Sequence, residues 1–240
     1  MQRPGVATVE PRSRGELGDL LAIASHELKT PATVIKAEAQ LLMRRVLSGA
    51  AAGGDVREGL AMIADQADRL AKLVNHVLDL SRMEAGYLDL ERTPTNLGQL
   101  VAAVAAALQV TTDRHSFTIE AAPSVVGNWD RRRIEEVVEN LLSNAIKYSP
   151  DGGTIAVRVV AEDDDLATVR VRDQGIGIAA EDLPQLFERF YRGRTRQGLG
   201  GAGLGLSICL VMVTAHGGTI WAESEGLGLG STFGFSLPRS

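Results

Sequence analysis

Cysteine is nearly missing from this chain. Cys209 is alone, so no internal disulfide can form and a reducing compartment fits. Long apolar runs are missing too: no stretch approaches the roughly 18 residues needed to cross a bilayer. Residues 1–14 carry Arg3, Pro4, Glu10, Pro11, Arg12 and Arg14 around no apolar centre, which excludes a signal peptide. There is no excess of positive charge, and a net charge of −5 argues against general nucleic-acid affinity. Paired cysteines and a His-x-x-x-His pattern are lacking, so a zinc site is not expected. No Gly-Lys-Ser/Thr follows the glycine clusters, which excludes a Walker loop. No long internal repeat is apparent. The expectation is a cytoplasmic protein with no membrane segment, or the cytoplasmic part of a longer, membrane-attached receptor. What is present is 240 residues, 45% of them apolar, enough for one large domain or two modest ones.

The first 14 residues read as a leader or linker. From Gly15 a helical pattern starts, with Leu17, Leu21, Ala24, Leu28 and Ile35 in one stripe, continued by Leu42 and Val46. A second stripe is more regular: Val56, Leu60, Ile63, Ala67, Leu70, Val74 and Val77 step by four and three. The Gly- and Ala-rich joint from Ser48 to Gly54, followed by Asp55 as a helix cap, predicts an antiparallel hairpin. Each apolar seam is too long for one partner to cover. Two copies forming a four-helix bundle would solve this, so a homodimer is expected; the alternative is a hairpin packed on a second domain. His26 falls on the outward face, flanked by Glu27, with Thr30 one turn on, and Pro31 is expected to bend the helix just beyond.

Residues 87–95 read as a connection, and 96–240 as a second domain. Leu97 to Val110 suits a core helix, Phe117 to Ala121 and Ser124 to Val126 suit strands, and Asp130 is placed to cap a following helix. In that helix Asn140, Asn144, Lys147 and Tyr148 stand at i, i+4, i+7 and i+8, so two amides, an ammonium and a ring share one face. A merely solvated amphipathic face would look the same. Thr154 to Ala161 and Leu166 to Val171 read as a hairpin across Glu162-Asp163-Asp164-Asp165, an acidic turn rather than a metal site. The second strand ends at Asp173-Gln174-Gly175-Ile176-Gly177, where a carboxylate suited to an exocyclic amine precedes glycines that permit close backbone approach. Glycines 198, 200, 201, 203 and 205 then open an apolar helix whose free N–H groups suit phosphates. Thr219 to Glu223 and Ser231 to Leu237 close the domain as strands. His76 reads as a solvated helix residue, His115 as a turn residue, His216 as a cationic or hydrogen-bonding group at a helix end, and Cys209 as a small core residue.

These boxes, in this order, resemble the ATP-binding domain of sensor histidine kinases, within the wider group that holds the Hsp90, gyrase and MutL ATPases. Ser25-His26-Glu27-Leu28-Lys29-Thr30-Pro31 is similar to the phosphoacceptor box of the same family, and the two signatures span nearly the whole chain from Gly15. The resemblance implies an α+β protein: a dimeric four-helix bundle over 15–86, then a Bergerat-type α/β sandwich over 96–240. It implies that His26 is phosphorylated from ATP, that Glu27 assists it, and that the phosphoryl group passes to an aspartate of a response regulator, with Thr30 supporting dephosphorylation of that regulator. Asn140 would ligate Mg²⁺, Asn144 and Lys147 would meet phosphates, Tyr148 would flank the base, and Asp173 would recognise the adenine amine. Gly175, Gly177, Gly201, Gly203, Leu204 and Gly205 complete the implied nucleotide contacts. Ile178 to Gly200 would form a lid containing Leu186-Phe187-Glu188-Arg189-Phe190-Tyr191-Arg192, with Phe190 and Arg192 near the nucleotide. Ala202 departs from the family pattern, where threonine is common. Two rival readings stay open: an ATPase or serine kinase of the wider group, and a non-catalytic dimer that docks regulators.

Overall fold

The computed structural model describes residues 17–49, 53–84, 89–162, 165–191, 193 and 203–240, with the backbone alone for 17–27, 80, 83 and 84. The chain divides into compact units of residues 12–86 and 87–240.

The first unit is a helical hairpin of α1 (Leu17–Leu47) and α2 (Gly53–Glu84). α1 continues through Pro31 as one helix. Asp55 lies inside the first turn of α2 rather than at its cap, because α2 already starts at Gly53. It still meets the positive end of the helix, and it pairs with Arg45 at 3.6 Å. Gly59 permits close approach here: a Cβ on it would stand 2.8 Å from Glu38 Oε1 and from the Leu42 methyls.

The expected seam is split between inside and outside. Val56, Gly59, Ile63, Gln66, Leu70, Leu73 and Val77 are buried or half-buried, whereas Leu60 and Val74 are 56% and 41% exposed. On α1, Leu42 is buried, Leu28 and Ile35 are half-buried, and Val46 is exposed. One helix covers only about a heptad-wide stripe of its neighbour, and the apolar surface of α2 is wider than that. The second stripe, Leu60, Ala64, Ala67, Ala71, Val74 and Leu78, steps by four and three and faces outward. His76 is a further correction, since it is buried rather than solvated.

The second unit runs β1 (Arg92–Asn96), α3 (Leu97–Gln109), β2 (His115–Ala121), β3 (Val126–Asp130), α4 (Arg131–Lys147), β4 (Gly153–Glu162), β5 (Leu166–Asp173), a 3-10 turn (Leu183–Gln185), α5 (Gly205–Ala215), β6 (Thr219–Glu223) and β7 (Ser231–Pro238). β1 falls within the stretch read as a connection. Pro94 hides it as a strand, but it pairs only with β3, antiparallel, in a two-stranded ribbon where a missing N–H is tolerated. The main sheet has the order β2-β4-β5-β7-β6, with β2 parallel to β4 and the other pairs antiparallel. Ile155, Val157, Val159, Val169 and Val171 alternate onto the buried face of β4 and β5. Ile134, Val137, Val138, Leu141 and Leu142 form the buried side of α4, and α5 buries Ile208, Cys209, Val211, Met212 and Val213. Burying each large aliphatic side chain contributes about 1.5–3 kcal/mol, so this α/β core fixes α4 and α5 rigidly.

Local chemistry sets the helix ends. Asn96 caps α3 by accepting the Gln99 N–H at 3.0 Å, and Asp130 caps α4 by accepting the Arg133 N–H at 3.1 Å, as its position in the sequence suggests. His115 is not a turn residue but the first residue of β2. Its buried ring reaches the Ser149 carbonyl through Nε2 at 2.9 Å and Thr112 Oγ1 through Nδ1 at 2.8 Å. Cys209 is fully buried, and desolvation first, then the Glu136 charge, pushes its thiol far above the usual range, so it is the inert core residue expected.

Candidate functional site

The polar face of α4 ends beside the start of α5. Asn140 donates its side-chain N–H to the Glu136 carbonyl at 3.0 Å, which fixes the amide's orientation. Its Oδ1 is thereby turned toward Gly205, where a Cβ would stand only 2.9 Å away. A side chain at position 205 would have to push that oxygen aside, so glycine keeps the N-terminus of α5 against it. Asn144 and Lys147 follow on the same face, both half-buried, and Lys147 Nζ lies 4.8 Å from the ring centre of Tyr148, the C-cap of α4.

Asp173, at the end of β5, is buried and well held. Its Oδ1 accepts the Gly175 N–H at 2.9 Å and the Ser231 N–H at 3.2 Å, and its Oδ2 accepts the Ser231 hydroxyl at 2.5 Å. A carboxylate has about four lone-pair sites, so three internal donors leave room for one more. Ser231 was not singled out from sequence. Its signal was the neighbouring Gly226, Gly228 and Gly230, all at positive φ, just before the last strand.

The Gly175–Gly177 loop is clamped on both sides. A Cβ at Gly175 would lie 2.0 Å from the Tyr148 carbonyl oxygen, and one at Gly177, where φ is +68°, would lie 2.0 Å from the Gly226 carbonyl. Backbone bonds lock the approach: Ile176 N–H to Tyr148 O at 2.9 Å, Gly228 N–H to Ile176 O at 2.7 Å and Gly230 N–H to Gly175 O at 3.1 Å. Ser224 ties the loop down further, accepting the Ile178 N–H at 3.0 Å and donating to Gly230 O at 2.7 Å.

Past the loop, Leu186 and Phe187 are buried, and Tyr191 donates its hydroxyl to Asp182 at 2.8 Å. Phe190 has φ +61°, a left-handed backbone that costs a bulky residue about 1–3 kcal/mol. It is held there by Gly203: the Phe190 N–H bonds Gly203 O at 3.0 Å, and a Cβ on Gly203 would press on the Phe190 backbone at 2.8 Å. Leu204 is a core side chain whose carbonyl accepts the Ser207 hydroxyl at 2.8 Å and the Ile208 N–H at 3.0 Å. Arg192, Gly201 and Ala202 lie outside the described residues, as do the side chains of His26 and Glu27, whose backbone belongs to α1. Thr30 is exposed, four residues along that helix from His26.

The second unit thus brings together an amide and ammonium face, a buried carboxylate with spare acceptor capacity, and a glycine-opened helix start. Among the described residues no group of His, Cys, Asp and Glu could hold a metal ion by itself, and no helix is long and apolar enough to cross a membrane.

Residues 129–240 match the family described as histidine kinase-, DNA gyrase B- and HSP90-like ATPase, and residues 16–86 match the His Kinase A phospho-acceptor domain. The sensor histidine kinase WalK of Bacillus subtilis is 34% identical over 238 residues, a match that covers 96% of this chain and 38% of WalK. The chain therefore spans well under half the length of that relative. Among solved structures, the Acinetobacter baumannii histidine kinase AdeS superposes with a TM-score of 0.68 at 27% identity, covering 90% of this chain and 98% of AdeS. Histidine kinase ThkA, solved in complex with the response regulator protein TrrA, gives 0.67 at 25% identity, covering 94% of this chain and 62% of that one. With both domains matched, in this order and on a shared architecture, the chain belongs to the sensor histidine kinases of two-component systems.

Proposed function

We propose that this chain is the catalytic core of a two-component sensor kinase, which phosphorylates His26 from ATP and passes the phosphoryl group to an aspartate of a response regulator. The observation that carries the reading is the approach of Gly205 to Asn140 Oδ1, which joins the amide face of α4 to the anion-binding end of α5. Asp173 accepts the exocyclic amine of adenine with its remaining lone pair, and Tyr148 flanks the base. Asn144, Lys147 and the N–H groups at Gly203, Leu204 and Gly205 meet the phosphates, with Arg192 and Gly201 assigned to the same role by resemblance. Phe190 holds the start of the lid against Gly203.

Mg²⁺ fits at Asn140. The amide nitrogen is committed to Glu136, leaving a hard oxygen donor, and Mg²⁺ bound to a nucleotide takes few protein ligands because phosphates and water supply the rest. When bound, it neutralises charge on the departing phosphoryl group. The chain's own part is to hold ATP and to present the nucleophile. Glu27 holds one ring N–H of His26, the other ring nitrogen attacks the γ-phosphorus, and the bond to the β-phosphate oxygen breaks to release ADP. In the second step a regulator carboxylate attacks the phosphorus, and the N–P bond breaks.

The outward stripe of Leu60, Ala67, Val74 and Leu78 supports a homodimer in which two hairpins make a four-helix bundle. Response regulators are the partners; ThkA, the structural relative above, is solved with one. Thr30, one turn from His26 and exposed, is placed to orient water against a regulator's acyl phosphate, which gives the core a phosphatase activity as well.

Labelled Mg·ATP tests the reading. Wild type is expected to take up acid-labile, alkali-stable label, and His26→Gln to lose it completely. Label that survives in the variant, or that is acid-stable, would sink the assignment and favour a serine kinase or ATPase. For Thr30→Ala, autophosphorylation is expected within about twofold of wild type, with regulator dephosphorylation at least about tenfold slower. A dephosphorylation assay on purified phosphorylated regulator checks this, and an unchanged rate removes Thr30 from the mechanism.

A further inference from the structure

α4 and α5 are joined a second time, at the end remote from the nucleotide face. α5 terminates at His216, with Gly217 at φ +76° donating to Thr214 O at 2.8 Å and Gly218 donating to Val213 O at 2.9 Å. The His216 ring is 1% exposed. Its Nε2 receives the backbone N–H of Asp130 at 3.0 Å, and a peptide N–H can only donate, so Nε2 carries no proton. Nδ1 therefore bears the hydrogen and donates it to Met212 O at 2.7 Å. Asp130 is itself the cap of α4, and its second oxygen accepts the Glu91 N–H at 3.0 Å. One neutral imidazole thus ties together the end of α5, the start of α4 and the chain entering β1.

The charged groups acting on the ring are Arg92 of β1, whose Nη2 reaches Ala215 O at 3.5 Å, and Asp130. Burial first, and the Arg92 charge with it, hold the ring below the ordinary histidine range, against the opposing pull of the Met212 carbonyl and Asp130. Both Asp130 oxygens already serve backbone donors, so its carboxylate can receive an imidazolium only by disturbing the cap of α4 or the anchor of β1.

Resting on the ATP reading above, we propose that His216 is a positioning residue for nucleotide binding: its neutral ring locks α5 to α4 so that Gly205 stays against Asn140, and its protonation releases that lock. Adding a proton sets an Nε2–H against the Asp130 N–H, two donors face to face. The helix end must then shift or the ring must leave. α5 is a rod of 11 residues packed at its middle, where Cys209 Sγ lies 4.0 Å from Val137 O, so displacement at His216 is passed to Gly205. The sign follows from the neutral form being the bound form. Nucleotide affinity is full above the ring's own lowered value and falls as pH drops through it, so the loss lies below the ordinary imidazole value near 6.5.

The test is equilibrium binding of a fluorescent ATP analogue with Mg²⁺ to the full chain between about pH 4.5 and 7.5. His216→Gln places an amide oxygen where Nε2 stands and keeps the Asp130 bond at every pH, so its profile records only the titration of the nucleotide and of other groups. Wild type is expected to lose about tenfold more affinity than this variant over that range. Arg92→Gln removes the cation that resists protonation and should move the wild-type midpoint to higher pH, an effect that a purely structural histidine would not give. Parallel profiles for wild type and His216→Gln overturn the proposal. Should His216→Gln fail to fold, the midpoint of Arg92→Gln decides: an upward shift supports the lock and an unmoved midpoint overturns it. Absence of binding at about pH 7.5 in wild type overturns the ATP reading and this proposal together, whereas binding without the pH difference overturns this proposal alone.

Discussion

Asp173→Asn is expected to weaken nucleotide binding about 100-fold, roughly 3 kcal/mol, while leaving the fold almost untouched. The fold should tolerate the change because the amide oxygen can keep the Gly175 and Ser231 N–H bonds made by Oδ1, and the Ser231 hydroxyl can rotate to accept from the new NH₂. The nucleotide fares worse. The fourth lone-pair site becomes an N–H aimed at the adenine amine, so a charge-assisted bond is replaced by two opposed donors. Isothermal titration with an ATP analogue, alongside the melting temperature without ligand, separates the two effects. Affinity within about threefold of wild type would remove Asp173 from the adenine site. A large fall in melting temperature would instead show that its role is to hold Gly175 and Ser231.

Gly175→Ala should be the more damaging change. Gly175 does not lie in the left-handed region, so alanine meets no backbone strain, and the whole effect comes from contact. The added methyl would stand 2.0 Å from the Tyr148 carbonyl oxygen and 2.7 Å from Ser149 Oγ, against backbone that is itself bonded to Ile176. Ser149 Oγ can turn away, but the Tyr148 carbonyl is backbone and cannot. The loop has to move away from the end of α4, which breaks the Ile176 and Gly230 backbone bonds and separates Asp173 from Tyr148. A loss of about 3 kcal/mol is expected. For a unit of this size that corresponds to a melting temperature lowered by about 10 °C, with nucleotide binding lost beyond detection. Differential scanning calorimetry checks the first and titration the second. A stable variant that binds nucleotide normally would mean that Tyr148 and the glycine loop are not one rigid shelf.

What could be read in the sequence was local. The Asp130 cap, the β4–β5 hairpin and the one-sided spacing of Asn140, Asn144, Lys147 and Tyr148 all follow from periodicity and from side-chain bonds a few residues long. What escaped was decided at long range. Ser231 reaches Asp173 across 58 residues, and His115 reaches the Ser149 carbonyl across 34. The glycines before Ser231 mark a turn, but nothing in the composition around either residue names such a distant partner. β1 was hidden because Pro94 reads as a breaker until a single-sided partner strand is available. The seam of α2 splits at Leu60, Ala67 and Val74, which the α1 of the same chain leaves uncovered, because an apolar stripe gives its own position but not which neighbour covers it. The left-handed Phe190 had no sequence signal at all, since the bond that holds it comes from the Gly203 carbonyl, far along the chain.

The place of β7 in the sheet also orders events during synthesis. β7 follows β6 in the chain, yet it lies between β5 and β6, and its first residue is the Ser231 that aims Asp173. The indole of Trp129 donates to Pro238 O at 2.6 Å, so β3 also waits for β7. A ribosome releases the hairpin that carries His26 long before Asp173 has Ser231 to hold it. The helical hairpin is therefore free to form while the second unit still lacks the strand that completes its sheet.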